Sequence, residues 1–335
     1  MPANFEFLQG QQEYQLFADA CLEAERVLET SPAMAAIGSR KALELAVKWV
    51  YSADNTIHMP YKDNLQSLIH EPTFRYAMDH QTWGKLPFIV KLGNLAVHTE
   101  KSISRSESIL SLSALFEFVQ WLDYCYGANY EVRSFDEKRV PTGKVVLDEA
   151  KIKEKDSLIE QKNSEIEALR AQIAAMSDRL TAGKKDHQEE RQFRPVDISE
   201  FLTRKKYIDV DLKLLGWTFG DDVREEVELE GMPNGEGKGF ADYVLYGKDG
   251  LPLAVIEAKR TSIDPKKGTH QAKLYADCLE NMTGRRPMMF TTNGFETYLW
   301  DDITSPQRKV SGIFSKADLQ KLMNRRTERK KLDEI

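Results

Sequence analysis

Three side chains in the second half of the sequence have types and a spacing that suit metal-assisted chemistry. Fourteen residues separate Asp242 from Glu257, and Lys259 follows two positions later, in the segment GFADYVLYGKDGLPLAVIEAKR. Two carboxylates held side by side repel each other, and Mg²⁺, which prefers oxygen ligands, would relieve that repulsion. The cation would acidify a water molecule and polarise a phosphoryl oxygen, while the lysine would stabilise charge that develops on the phosphate. The pattern predicts a site for phosphodiester hydrolysis.

The residues around this group predict a β-hairpin. Residues 241–246 and 253–256 are rich in strand-forming types, and the sequence GKDG between them is a strong turn signal. Because side chains alternate along a strand, Glu257 and Lys259 point to one face, and the hairpin would bring Asp242 beside Glu257. An acid-x-Lys at the end of a strand is also common as a plain solvated edge, so the flanking sequence has to decide.

Helices are predicted on both sides of the hairpin. Ile208, Leu212 and Leu215 recur at helical spacing before it, which indicates an amphipathic helix. After it, Gln271 and Tyr275 stand four residues apart and so share one helix face, where a packing pair is the plain alternative to a functional one. Two more strand-like pieces follow, at 287–294 and 298–300.

The combination of these elements resembles the PD-(D/E)XK nuclease superfamily. More narrowly, residues 195–330 resemble the N-terminal nuclease domain of the endonuclease (R, HsdR) subunit of type I restriction enzymes. The resemblance rests on four patterns in order, namely R-x-x-x-I-D-x-x-L-x-x-x-G-W from Arg204, G-x-A-D ending at Asp242, I-E-A-K ending at Lys259, and Q-x-x-x-Y from Gln271. It implies a restriction-endonuclease-like α/β domain with a mixed sheet.

The resemblance also implies roles for individual residues. Asp242 and Glu257 would be ligands of Mg²⁺, and Lys259 would be the catalytic lysine. Gln271 and Tyr275 would assist the active site or the positioning of DNA. An acid of the first helix often contributes in this superfamily, and Asp209 is the better candidate here, ahead of its neighbour at 211. A solvated helix face is the alternative for Asp209.

The implied partners are double-stranded DNA and the modification and specificity subunits of a restriction complex. R subunits of this kind carry an ATP-driven translocase motor after the nuclease. The sequence contains no G-x-x-x-x-G-K-[ST] phosphate-binding loop, so we expect ATP to act only through a motor in a C-terminal part that is missing here.

Composition sets broad limits on the function. The chain has 335 residues, 41% of them hydrophobic, which predicts two domains with real cores, and a net charge of −6. That charge does not suit a passive DNA coat, although local basic patches decide DNA binding. Three widely spaced cysteines suggest neither zinc nor disulfides and fit a reducing cytoplasm. No leader and no long apolar run is present, so we expect no membrane segment.

The first part of the chain, residues 1–130, is predicted to be an all-α helical bundle. Apolar residues recur at helical spacing, and prolines at 32, 60, 72 and 87 punctuate the pattern. The expected helices are 12–29, 31–52, 61–68, 73–84, 87–99 and 106–126.

The motifs RKALE at 40–44 and GNLAVH at 93–98, followed by a long apolar helix, are similar to the DUF4145 domain. That domain precedes the nuclease in some R subunits and is related to HEPN bundles, some of which cleave RNA through an Arg-x4-6-His motif. His98 could supply the histidine, but Lys91 stands in place of the arginine. The departure argues against RNA cleavage and favours contacts with partner subunits or DNA.

Residues 131–194 are predicted to link this bundle to the nuclease domain at 195–335. Apolar residues recur every seven positions between 145 and 180, but the second seam position is apolar only at Leu169 and Met176. This is half a coiled coil. It predicts either a long helix laid along its own domain or a weak helix for self-association or a partner.

Three functions compete on the sequence alone. The first is the endonuclease part of a type I restriction-modification R subunit. The second is a stand-alone nuclease of the same superfamily in phage defence or repair. The third is a non-catalytic adaptor that binds DNA or protein, and it is disfavoured because no member of the motif set has been lost.

Overall fold

The structure is a computed structural model. It describes residues 3–98, 102–142, 172–196, 199, 203–235 and 237–328. The chain divides into two compact units, Met1–Val196 and Asp197–Ile335. The first unit is helical and the second contains a mixed sheet, so the expected pairing of an all-α part with an α/β part is confirmed at this level.

The first unit is a bundle in which the helix Pro32–Ala53 packs against the helices Gln15–Arg26, His80–His98 and Arg105–Tyr126. Its largest fully buried side chains include Trp49 and Trp121, which anchor the core. The helices are α1 Gln15–Arg26, α2 Pro32–Ala53, α3 Leu65–His70, α4 Pro72–Arg75, α5 His80–His98, α6 Arg105–Tyr126 and α7 Ser177–Glu190, with short 3₁₀ turns at Asn4–Leu8, Gln12–Tyr14 and Glu137–Arg139.

Local signals explain where the two longest helices of the bundle begin. The Ser31 side chain accepts a hydrogen bond from the Met34 N–H, and Pro32 occupies the first turn of α2. Ser104 and Glu107 form a reciprocal capping box at the start of α6. These starts agree with the predicted helices.

The predicted break at Pro87 is wrong. The sequence suggested separate helices at 73–84 and 87–99, whereas α5 runs unbroken from His80 to His98 with Pro87 inside it. Leu86 and Ile89 on either side are fully buried in the bundle. An interior proline costs about 3 kcal/mol, and burial of two such side chains contributes roughly as much, so tertiary packing offsets the lost hydrogen bond.

The described part of the linker helix lies along its own unit. Ile173 is buried in the bundle core, and Leu180 packs against it. The Lys184 ammonium donates to Asp54 Oδ2 at 2.6 Å, which fastens α7 to the end of α2. The heptad positions from 145 to 169 lie outside the described residues, as does the side chain of His98.

The second unit contains a six-stranded sheet in the order β1-β2-β3-β4-β5-β6. Neighbouring strands are antiparallel except the third and fourth, Pro252–Ala258 and Met288–Thr292, which are parallel and are joined through the helix Thr269–Thr283. The strands are β1 Val223–Glu230, β2 Lys238–Tyr246, β3 Pro252–Ala258, β4 Met288–Thr292, β5 Thr297–Asp301 and β6 Ser305–Val310. A π-helix Arg204–Ile208 leads into α8 Asp209–Leu214, a 3₁₀ turn Pro265–Gly268 precedes α9 Thr269–Thr283, and α10 is Lys316–Glu328.

Helices cover both faces of the sheet. On one face Tyr275 and Leu279 of α9 pack against β2, β3 and β4. On the other, Leu212 of α8 and Leu319 of α10 pack against the alternate residues of the same strands. Among the residues described, none of the helices has both the length and the apolar character needed to cross a bilayer.

Candidate metal and catalytic site

The carboxylates of Asp242 and Glu257 come together where β2 and β3 end their pairing. The last pair of that ladder at this end joins Tyr243 to Ile256, so the next residues along each strand lie opposite each other. Asp242 Oδ2 accepts a hydrogen bond from the N–H of Ala258 at 2.7 Å, which ties the two strand ends together. Glu257 is only 1% exposed. The structure therefore places Asp242 and Glu257 at neighbouring positions on the two strand ends.

Lys259 connects this pair to helix α9. Its ammonium donates to Glu257 Oε1 in a short contact and to Gln271 Oε1 at 3.3 Å. The Gln271 amide in turn donates to the hydroxyl of Tyr275, which is buried one helical turn later. Four of the predicted site residues thus form one continuous chain of polar contacts from β3 to α9.

Gly268, the residue before α9, lies directly against the side chain of Glu257. A Cβ added at Gly268 would stand 2.8 Å from Glu257 Cγ and 3.2 Å from Lys259 Cε, so only glycine leaves this space open. Thr291 on β4 pairs with Glu257 in the parallel register. Its hydroxyl is buried without a hydrogen-bond partner, which marks a polar position beside the glutamate that a bound group could satisfy.

Asp209 lies elsewhere. The structure places this side chain, 6% exposed, against Tyr243, whose hydroxyl donates to Asp209 Oδ1 at 2.6 Å. Lys205 approaches the other oxygen at 3.4 Å. Tyr243 points away from the face that carries Asp242, because successive side chains on a strand alternate. The structure therefore does not join Asp209 to the carboxylate pair, and Asp211 is a half-buried residue of α8.

The environment of Asp242 opposes its ionisation. Burial raises the pKa of this carboxyl above its ordinary value, and the nearby charge of Glu226 raises it further. The N–H of Ala258 and the cations Arg204 and Lys259 act in the opposite direction without cancelling the rise. A buried carboxylate with an incompletely compensated charge is a position where a divalent cation is favoured.

The donor set suits Mg²⁺ better than a soft metal. Mg²⁺ is usually held by one or two carboxylates and keeps several waters or phosphate oxygens as its other ligands. Asp242 and Glu257 lie at neighbouring strand ends and would provide two carboxylates. In the part of the chain that the structure describes, no group of three or more His, Cys, Asp or Glu residues is arranged to hold a metal. The remaining ligands would have to come from water or substrate.

Four residues of the site were not predicted from the sequence. Arg204 stands in the R-x-x-x-I-D pattern, but nothing local shows that its guanidinium reaches Asp242. Gly268 and Thr291 are brought to Glu257 by α9 and β4, which are distant in sequence. Glu226 is brought beside Asp242 by the pairing of β1 with β2. A pattern search for small or hydroxyl residues after the E-x-K strand could have raised Gly268 and Thr291 as candidates.

The raised pKa of Asp242 predicts the pH dependence of stability. A carboxyl whose folded pKa is raised contributes stability fully below its unfolded pKa and loses that contribution as the pH rises through the folded pKa. We therefore expect Asp242→Asn to become progressively more stable than the wild type as the pH rises from about 4 through the raised pKa. Melting temperatures of the metal-free protein, recorded in EDTA across this range, measure the difference.

Asp249 supplies a control of opposite sign in the same unit. Its hydrogen bond with Arg285 lowers its pKa below the ordinary value. Asp249→Asn should therefore become less stable relative to the wild type as the pH rises from the lowered pKa towards about 4. A stability difference for Asp242→Asn that is flat with pH would show that burial does not control this carboxyl.

Comparisons with known proteins point to one family. Residues 197–308 match the family model described as the N terminus of the type I restriction enzyme R protein. That segment contains Asp242, Glu257, Lys259, Gln271 and Tyr275. The endonuclease subunit of type I restriction enzyme EcoAI from Escherichia coli is 37% identical over 100 residues, which amount to 28% of this chain and 12% of that protein.

A solved structure is also similar. It is described as a fragment of an HsdR subunit of a type I restriction enzyme from Vibrio vulnificus YJ016. The sequences are 27% identical, and the match covers 42% of this chain and 28% of that one, with a TM-score of 0.34. The chain thus spans a small part of the length of each relative.

Proposed function

We propose, from the membership of residues 197–308 in the family of type I restriction enzyme R protein N termini, that the second unit is the DNA-cleaving domain of such a subunit. In this proposal the domain has the PD-(D/E)XK fold and hydrolyses DNA phosphodiester bonds with Mg²⁺. The observation that carries it is the polar chain from the Asp242–Glu257 pair through Lys259 to Gln271 and Tyr275.

Asp242 and Glu257 would hold the cation, and each is prepared for that role differently. Glu257 is almost fully buried and is held in place by Lys259, so its carboxylate has little freedom. Asp242 is held through one oxygen by the N–H of Ala258. Mg²⁺, when bound, would polarise the phosphoryl oxygen and make a water molecule more acidic.

Lys259 would place its ammonium next to the phosphate. The side chain is 17% exposed, so it is reached from solvent while its contacts with Glu257 and Gln271 restrict its direction. A preoriented cation stabilises charge that grows in the transition state without having to reorganise. Gln271 acts as a positioning residue, because its amide is itself held by the Tyr275 hydroxyl.

The wider setting is also part of the proposal. Double-stranded DNA would be the substrate, and modification and specificity subunits would provide the target sequence. The first unit, with its resemblance to the DUF4145 domain, would serve contacts with these partners or with DNA. None of the residues of this proposed site is assigned a role in ATP binding.

The test is metal-dependent nicking. Supercoiled plasmid is incubated with the purified chain in Mg²⁺ or Mn²⁺ and, separately, in EDTA, and Mn²⁺ binding is measured on the same sample. Nicking and Mn²⁺ binding that both disappear with Glu257→Gln would support the proposal. An absence of Mn²⁺ binding at this pair would overturn it and leave the non-catalytic adaptor as the better description.

Gly268→Ala should disturb the site without disturbing the fold. The backbone at Gly268 has φ −83° and ψ −6°, which alanine adopts readily. The new methyl group would instead press on Glu257 Cγ and Lys259 Cε. Because a small misplacement of catalytic groups costs up to about 10²-fold, we expect nicking to fall by about that factor. Initial rates on plasmid give the measurement.

Gly312→Ala is the matched control. No heavy atom lies within 4 Å of a Cβ added at Gly312, and its φ is not in the left-handed region. It should nick at the wild-type rate. If the two alanine variants have equal rates and equal Mn²⁺ affinities, the close approach of α9 has no role in the site.

A further inference from the structure

Arg204 is shared between two carboxylates of different exposure. Its Nη1 donates to Asp242 Oδ1 at 3.0 Å, and its Nη2 donates to Glu226 Oε1 at 2.8 Å. The side chains of Arg204 and Asp242 are 14% and 15% exposed, whereas that of Glu226 is 65% exposed. One guanidinium therefore bridges a half-buried candidate metal ligand and a solvent-facing acid.

Glu226 stands directly across the ladder from Asp242. The β1–β2 pairs Glu225–Tyr243 and Val227–Ala241 flank these two residues. Glu226 has φ +49°, and among residues 203–235 and 237–328 no other non-glycine residue has a positive φ. Such a conformation is costly for glutamate, and strain of this kind occurs mainly where a function retains it.

The backbone that carries Arg204 is also irregular. Residues Arg204–Ile208 form a π-helical turn before α8. Single π-helical turns are uncommon in proteins, and those that occur are often found at functional sites. Two unusual backbone conformations, one at each end of the Arg204–Glu226 ion pair, thus hold the guanidinium beside Asp242.

The contact with Arg204 conflicts with the proposed role of Asp242. Ala258 N–H occupies Asp242 Oδ2, and the guanidinium occupies Oδ1. A cation that binds Asp242 through Oδ1 must displace Nη1 of Arg204 and would otherwise face its positive charge. The Nη2 contact with Glu226 does not have to break, so the guanidinium has a second acceptor towards which it can turn.

We infer that Arg204 is an internal counter-cation that competes with the divalent metal for Asp242, and that Glu226 accepts it when the metal binds. The inference rests on the proposed function, since it requires a metal at the Asp242–Glu257 pair. Arg204 offsets the charge of Asp242 in the metal-free site and limits metal affinity. Glu226 raises metal affinity by giving the displaced guanidinium a carboxylate partner.

The test is a double-mutant cycle of Arg204 and Glu226. Titration calorimetry measures the Mn²⁺ affinity of the full chain for the wild type, each single variant and the double variant. Arg204→Gln should bind Mn²⁺ about tenfold more tightly than the wild type, because a charged hydrogen bond no longer has to be broken. Glu226→Gln should bind it about fivefold more weakly. In the Arg204→Gln background, Glu226→Gln should change the affinity little, since no guanidinium remains to be accepted.

Glu228→Gln is the matched control on the same strand. Glu228 is an exposed acid that pairs with Lys238, so its loss removes the same charge without touching Arg204. It should leave Mn²⁺ affinity unchanged. Glu226 is exposed, and its replacement should not prevent folding, which melting curves verify for every variant.

Three results would overturn the inference in distinguishable ways. Wild-type Mn²⁺ binding that is absent, or that survives Glu257→Gln, would remove the proposed site and the inference with it. Binding that Glu257→Gln abolishes, together with unchanged affinity in Arg204→Gln, would remove the inference alone. If Glu226→Gln lowers Mn²⁺ affinity equally with and without Arg204, Glu226 acts only through the electrostatic attraction of its own charge for the metal.

Discussion

Glu257→Gln is expected to abolish Mn²⁺ binding and metal-dependent nicking together, whereas Lys259→Gln should lose nicking and keep most of its Mn²⁺ affinity. Glu257 is buried and would be a ligand, so an uncharged amide removes a metal contact worth several kcal/mol, or about 10³-fold in rate. Lys259 would act on the phosphate, and the loss of one such stabilising group costs about 10²–10³-fold.

The experiment separates the two roles by measuring two quantities on each variant. Calorimetric titration gives Mn²⁺ affinity, and initial nicking rates at saturating metal give the rate. Glu257→Gln keeps the shape of the side chain, but metal-free Lys259→Gln should melt below the wild type because the buried Glu257 carboxylate loses its ammonium partner. Both quantities are therefore measured at a temperature at which melting curves show every variant folded. Equal losses of affinity and rate in Lys259→Gln would contradict its assignment as the group that stabilises the phosphate.

The largest expected effect on stability is in the first unit, at a buried ion pair between α5 and α6. Lys85 is 2% exposed and Glu117 9%, and the ammonium lies 2.5 Å from Glu117 Oε2. Removal of one partner leaves an uncompensated buried charge, which costs about 3–5 kcal/mol. We expect Lys85→Met to lower the melting temperature of this unit by roughly 10 °C.

A double variant distinguishes an ion pair from simple packing. Lys85→Met combined with Glu117→Leu removes both charges and fills the same space, so the melting temperature should return to near the wild-type value. Glu44→Gln breaks the more exposed Lys48–Glu44 pair and should shift it by no more than about 2 °C. A double variant that is as unstable as Lys85→Met would show that the charges themselves are not the cause.

Short-range patterns predicted the elements of the site well. The strands expected at 241–246 and 253–256 are confirmed as parts of β2 and β3, and the GKDG segment is the turn between them. Gly216 has φ +87° just after α8 ends, which is the conformation that glycine commonly adopts beyond the end of a helix. Such signals are readable because alternation, turn chemistry and positive φ are properties of a few adjacent residues.

Long-range pairing decided what could not be read in this way. The sequence could not show that Arg204 reaches across to Asp242, or that its partner Glu226 would adopt φ +49°, since both depend on how the π-helical turn lies against β1 and β2. Asp209 accepts a hydrogen bond from Tyr243 because its helix packs on the sheet face that carries Tyr243, which is opposite to the face that carries Asp242.

The sequence by itself indicated Asp242, Glu257 and Lys259 by their types and spacing, because they lie in or beside strands with strong local alternation. Gln271, Tyr275 and the mixed sheet flanked by helices followed from the family resemblance. The tertiary structure alone decided that Pro87 lies inside a helix and that Gly268 and Thr291 lie beside Glu257. It also decided that Arg204 donates a hydrogen bond to Asp242. Each of these depends on contacts between segments far apart in the chain, whose energies outweigh the local preferences that a sequence displays.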